Sequence, residues 1–126
     1  MSTSQLSTSQ TFDAEALRRG IEERDASRLL ALYAEDAELH VVDRNDQPSH
    51  PKVIRGRTAI GEYFADVCGR DMTHSIERLV VGDDGAAFVQ SCQYPSGARV
   101  LCIATLDLAG GLITRQYGVQ AWDEQP

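Results

Sequence analysis

The chain's three histidines are the side chains whose charge changes near neutral pH, which makes them its first candidates for acid–base chemistry. His74 enters a long apolar run and is the strongest of them; the plainer reading is a strand-start imidazole bonded to a loop. His40 lies between Leu39 and Val41, so if those two face a core, alternation turns His40 towards solvent or a partner chain. His50 sits between Pro48 and Pro51 in a polar segment that could fold over a cavity mouth, and its type implies no further role. His40 with Asp43, or His74 with Asp71, would form a dyad, but neither spacing is specific. Cys68, Cys92 and Cys102 are odd in number, with no CxxC and no Cys/His metal spacing, so buried free thiols are the expectation. No histidine pair stands at i, i+4 either. Neither a metal nor another cofactor is expected.

The remaining composition bounds the answer. A chain of 126 residues is one domain, with a formal charge of 12 − 19 = −7, 42% hydrophobic and 25% charged residues. Lys52 is the only lysine, and the arginines are scattered rather than clustered. That acidity argues against a phosphate-tracking nucleic-acid binder. The longest near-apolar run, Val100 to Leu106, is of strand length, which argues against a membrane partner. A charged-then-apolar leader is absent at the start, so a cytoplasmic location is expected.

Residues 2–5 and 7–10 both read STSQ, and 1–11 are expected to form a disordered Ser/Thr/Gln tail. A single domain over 12–124 follows. Asp13 after Phe12 has the form of an N-cap with a hydrophobic staple, opening a helix whose apolar face is Leu17 and Ile21. Leu29, Leu30, Leu32 and Tyr33 suggest a second short helix, and Leu39 to Val42 a brief strand. Residues 43–58 read as a polar loop. A third helix is predicted from about Thr58 to Cys68, with Ile60, Phe64 and Val67 inward and Gly69 as its stop. Four long runs follow: Met72–Val81, Ala86–Tyr94, Ala98–Leu108 and Leu112–Trp122. Turn signals at Gly82–Gly85, Pro95–Gly97 and Ala109–Gly111 separate them, as in an antiparallel meander. The fold class is α+β, and a long meander in so small a domain must curl into a cone with an apolar cavity.

Four strings place the chain by resemblance. Arg24 to Leu39, RDASRLLALYAEDAEL, resembles the "GD…LYADDA" passage of the SnoaL-like and ketosteroid-isomerase-like branch of the nuclear-transport-factor-2-like superfamily. Ile54 to Ile60 is similar to its "GR.AI" helix start, Val80 to Ala86 to its "V.GD..A" step, and Ile113 to Asp123 to its closing strand. The resemblance implies a conical α+β barrel, a curved antiparallel sheet closed by three N-terminal helices, and a homodimer through the outer sheet face. It covers about residues 13–123.

The catalytic sets that the resemblance brings are largely missing. Where ketosteroid isomerases carry a carboxylate base, a Tyr and a protonated Asp, this chain has Val41, Leu17 and Ala104. For the epoxide-hydrolase set Arg99 matches the Arg, but the Asp positions fall on Leu101 and near Gln120. The cyclase branch would need a cavity carboxylate, and the late strands offer only Asp107 and Asp123, neither securely inside. The isomerase register implies that Val100, Cys102, Ala104, Gln116, Gly118, Gln120 and Trp122 face inward. On the second long strand it prefers Val89, Ser91 and Gln93 over Phe88, Gln90, Cys92 and Tyr94, unless a bulge swaps the sets. Tyr33 and Phe64 match aromatic lining positions, though Tyr33, Tyr63 and Trp122 are equally ordinary core aromatics.

Two readings follow. In the first, the chain is an isomerase- or cyclase-type enzyme acting on a small hydrophobic molecule. His74 is then the catalytic acid or base, and Tyr33, Phe64, Ser91, Cys102, Gln116, Gln120 and Trp122 hold the substrate. In the second, it is a non-catalytic ligand-binding or dimerisation module of the same fold.

Overall fold

A computed structural model describes residues 11–124; the expected tail lies outside the described residues except for Thr11. Helix α1 (Ala14–Glu22) is capped by Asp13, whose carboxylate accepts from the Ala16 N–H at 3.0 Å. Helix α2 (Ala26–Leu30) is capped in the same way by Asp25, which accepts from Arg28 N–H at 3.1 Å. The two helices meet at Gly20, where an added Cβ would stand 2.8 Å from Leu29 Cδ2. Only a glycine lets them approach so closely.

The chain turns extended earlier than the apolar pattern suggests. Tyr33 does not continue a helix but opens strand β1 (Tyr33–Val42). The Leu32 carbonyl accepts from Ile113 N–H at 2.8 Å, and Tyr33 pairs with Ile113, so a distant strand captures this segment. Part of the expected polar loop is also a strand, β2 (Lys52–Arg55), paired antiparallel to β1. It is only four residues long and at the sheet edge, with Val53 and Ile54 flanked by charged Lys52 and Arg55, which hides it from hydrophobic patterning. Gly56, at φ +85, then makes the turn into α3 (Gly56–Cys68), which buries Ile60 and Phe64. The helix begins two residues before the predicted Thr58. Gly69 ends it with φ −80, in ordinary right-handed backbone.

The meander is β3 (Thr73–Val81), β4 (Gly85–Gln93), β5 (Arg99–Ala109) and β6 (Leu112–Trp122). The six strands form one curved sheet in the order β2-β1-β6-β5-β4-β3. The pairing of β1 with β6 is parallel, so the sheet is mixed rather than wholly antiparallel, and it does not close on itself. Helices α1 to α3 pack on one face, over a core whose most deeply buried side chains are Leu17, Leu39, Ile60, Leu106 and Ile113. The other face carries Leu101, Ile103, Tyr117 and Val119, all exposed. No helix among the described residues is long and apolar enough to cross a membrane.

Candidate functional site

Between the helices and the sheet lies a cavity of about 650 Å³. Pairing across the meander builds its wall in rows. His74 on β3 stands opposite Cys92 on β4, Cys92 opposite Val100 on β5, and Val100 opposite Trp122 on β6. One row deeper, Gln90, Cys102 and Gln120 stand side by side in the same way. Side chains directly opposite in a sheet share a face, so all of these line the cavity. Tyr33, Tyr63, Phe64 and Gln116 complete its inner end.

Of the residues singled out from sequence, Tyr33, Phe64, His74, Cys102, Gln116, Gln120 and Trp122 come together here. Ser91 does not: it pairs with Leu101, which is exposed on the outer face. The hairpin between β4 and β5 explains the swapped parity. Tyr94 and Ala98 close a three-residue loop, Tyr94 N–H donating to the Ala98 carbonyl at 3.0 Å, with Gly97 at φ +95. An odd loop pairs even residues with even ones, which turns Phe88, Gln90, Cys92 and Tyr94 inward and Val89, Ser91 and Gln93 outward. The Pro95-Ser96-Gly97 spacing carries that signal in the sequence. Gln90 and Cys92, of the set that the isomerase register ranks second, therefore line the cavity, as does Tyr63, which the sequence leaves as an ordinary core aromatic.

Polar contacts inside the cavity are specific. Gln90 Nε2 donates to His74 Nδ1 at 2.9 Å and to Cys92 Sγ at 3.2 Å, and Nδ1 and Sγ are 3.1 Å apart. An amide nitrogen can only donate, so Nδ1 accepts and the imidazole proton sits on Nε2. Tyr33 donates its hydroxyl to Gln116 Oε1, and its ring lies 5.3 Å from that of Phe64. Near the opening, Trp122 Nε1 donates to Gln120 Oε1 at 3.1 Å, and the Arg44 guanidinium lies 4.0 Å over the indole. Tyr94 stacks beside the same indole.

Burial keeps these groups neutral. It pushes the Tyr63 phenol and the Cys102 thiol each up to about 12, and raises Tyr33 and Cys92 as well. His74 is held below its usual range, first by burial and then by the Arg24 charge. The carboxylate among the lining residues is that of Asp43, whose Oδ1 accepts from the N–H groups of Asn45 and Asp46, both at 2.9 Å. Asp107 and Asp123 are exposed, and Asp123 ties the strand end by accepting from Arg99 N–H at 2.9 Å. Val41, Leu17 and Ala104, the positions that the resemblance sets against the isomerases' polar triplet, are buried apolar side chains. Among the described residues no three His, Cys, Asp or Glu side chains gather as a metal site.

The other two histidines lie elsewhere. His40 is on the outer side of β1, stacked on Tyr117 at 4.7 Å, with Nε2 3.1 Å from Glu38 Oε1. His50 is exposed in the loop after β1.

Residues 14–116 match the SnoaL-like domain family, so the chain belongs to that family, within the NTF2-like superfamily. Solved structures of low identity share its fold. An NTF2-like protein of unknown function from Mesorhizobium loti superposes with TM-score 0.74 at 19% identity, covering 86% of this chain and 89% of that one. The epoxide hydrolase/cyclase-like enzyme SalBIII, of pyran ring formation in the polyether salinomycin, gives 0.65 at 19% identity and covers 96% and 95%. A computationally designed 17-OHP binder gives 0.65 at 21% identity, covering 87% and 90%. No curated protein sequence matches.

Proposed function

We propose that this chain holds a small, largely apolar molecule bearing oxygen atoms in its cavity, and that His74 exchanges protons with it in an isomerase- or cyclase-type reaction. One observation carries the reading: a cavity of about 650 Å³ in which the neutral hydrogen-bonding groups of Tyr33, Tyr63, Gln90, Gln116 and Gln120 surround a half-buried His74, the charged lining residues being Asp43, Arg44, Lys52 and Arg70. That size is within the range of small-molecule sites, roughly 300–1,000 Å³. Held neutral by burial, His74 would be the base, taking a proton from the ligand and returning it readily because burial disfavours the imidazolium so formed. Tyr33, Gln116 and Gln120 would orient the ligand's oxygens, while Phe64, Cys102 and Trp122 supply apolar contact. The fold shared with SalBIII supports a cyclase-type reaction. A cytoplasmic homodimer, joined through the exposed Leu101, Ile103, Tyr117 and Val119, belongs to the same reading, with no nucleic-acid or membrane partner.

A second reading, ligand binding without catalysis, draws on Asp43. The carboxylate at the cavity spends an oxygen on two backbone N–H groups, leaving His74 without an acidic partner. The designed 17-OHP binder of similar fold is a protein of that kind.

A thermal-shift panel of steroids, terpenoids and aromatic polyketides tests both readings. A stabilising ketone would then be incubated with the protein in D2O. Deuterium uptake beside its carbonyl that disappears in His74→Gln is the expected result. Binding without uptake leaves the non-catalytic reading, and a panel with no stabilising ligand sinks both.

A further inference from the structure

We propose that Cys92 is a nucleophile that adds to the β-carbon of an α,β-unsaturated carbonyl compound held in the cavity, with His74 carrying the proton. The inference deepens the ligand-binding reading by naming a chemical class, apolar enones and enals, and in that respect it rests on it.

The geometry is that of an activated thiol. His74 Nδ1 lies 3.1 Å from Cys92 Sγ, and Gln90 bridges the two by donating at 2.9 Å to the nitrogen and 3.2 Å to the sulfur. Nucleophile, base and orienting group are thus within mutual hydrogen-bond reach. All three sit on paired strands β3 and β4, with His74 directly opposite Cys92, so their separation is set by the sheet rather than by a loop. Gln90 has a second use: its N–H stabilises negative charge as it develops on sulfur. At rest the pair is neutral, because burial raises the thiol and lowers the imidazole.

The choice of a conjugated carbonyl follows from what the site holds. A thiolate is a soft nucleophile and prefers the β-carbon of an enone. Acyl transfer would need donors aimed at a tetrahedral oxyanion, and the backbone N–H groups around Cys92 belong to sheet pairing with β3 and β5. In the addition, the Sγ–C bond forms at the β-carbon while the carbon–carbon π pair moves towards the carbonyl as an enolate. The thiol proton passes to His74 Nδ1 and from there to the α-carbon. The sum is addition of S–H across C=C, with no oxidant, reductant or co-reactant, and the reverse path releases the ligand.

The two other cysteines serve as internal controls. Cys102 and Cys68, the last residue of α3, line the same cavity, but the histidine contact to sulfur is that of His74 with Cys92. The full-length protein would be treated with 2-cyclohexen-1-one, and with cyclohexanone as the saturated control, and followed by intact-mass and peptide mass spectrometry. The expected result is one cyclohexenone added at Cys92, at least about tenfold faster than at Cys68 or Cys102, and nothing from cyclohexanone. Cys92→Ser removes the adduct, and His74→Gln slows it about a hundredfold, the usual size of a general-base effect. Equal labelling of all three cysteines, no adduct at Cys92, or unchanged labelling in a folded His74→Gln would overturn the proposal. Labelling by so small an enone at high concentration needs no tight binding. Failure of the dyad is therefore separable from failure of the ligand panel, which reports on binding alone.

Discussion

Tyr33 and Gln116, at opposite ends of the chain, share a hydrogen bond from phenol hydroxyl to amide oxygen at the inner end of the cavity. The parallel pairing of β1 with β6 makes this possible, because it sets the start of the first strand beside the last. Gln116 thereby has its acceptor satisfied by the protein and keeps its amide hydrogens for a ligand.

Loss of that bond has a calculable cost. Tyr33→Phe leaves the Gln116 oxygen without its partner and is expected to destabilise the fold by about 1–2 kcal/mol in urea unfolding. Gln116→Leu added to Tyr33→Phe should recover part of that, because both polar partners are then gone. A double variant as unstable as the sum of the two single ones would show that the bond carries no coupling.

His74 links stability to pH. An unfolded imidazole titrates near 6.5, whereas burial and Arg24 hold the folded one lower. Between those two values the unfolded chain binds more protons, so stability rises with pH across that window. Lowering pH from 6.5 should therefore depress Tm until the folded imidazole itself protonates, after which this contribution stops growing. The groups against the ring are Gln90, Cys92 and the Arg24 charge, none of which gains a proton in that window. Calorimetry of His74→Gln should show a flatter Tm–pH curve there; a curve parallel to wild type would remove His74 as the cause.

Much of this architecture is written locally in the chain. Asp13 and Asp25 cap the first two helices, and the Gly and Pro turns mark the meander strands to within about a residue or two. Non-local pairing is what stayed hidden. Tyr33 looks helical in a leucine-rich stretch, yet pairing with Ile113 draws it into a strand. Lys52–Arg55 sets only Val53 and Ile54 between two charges, too short a run to declare itself, and it pairs with β1 alone. At the site, β5 and β6 could be read because alternation carries a face along a strand once one residue is placed. Ser91 failed because parity crosses a hairpin only through the loop length, and that three-residue loop turns Gln90 and Cys92 inward instead. Arg44, in the polar loop after β1, has no sequence signal at all for its place over Trp122.

Trp122 is the only tryptophan, so its emission reports on the cavity opening. Arg44 covers the indole at 4.0 Å, an exposed cation–π contact of about 0.5–1 kcal/mol. Arg44→Ala should lower stability by no more than that, shift the fluorescence to the red as water reaches the ring, and speed ligand entry in stopped-flow mixing. An unchanged spectrum would mean that the guanidinium does not shield the indole in solution.

The outer sheet face bears on assembly. Ile103 and Val119 are directly opposite each other on β5 and β6, yet they are 49% and 52% exposed. Leu101 and Tyr117 extend the same patch, at 44% each. Burying such apolar surface against a second copy yields about 25 cal/mol per Å², and a standard interface removes about 800 Å² from each partner. Light scattering at micromolar concentration should therefore return twice the 13.8 kDa chain mass. Ile103→Glu with Val119→Glu places two carboxylates on a patch that must face its own copy, which should shift the protein to monomer. Neither side chain reaches the cavity, so ligand-induced thermal stabilisation should survive the substitutions. A wild-type monomer under those conditions, or a double variant that stays dimeric, would rule out this face as the contact.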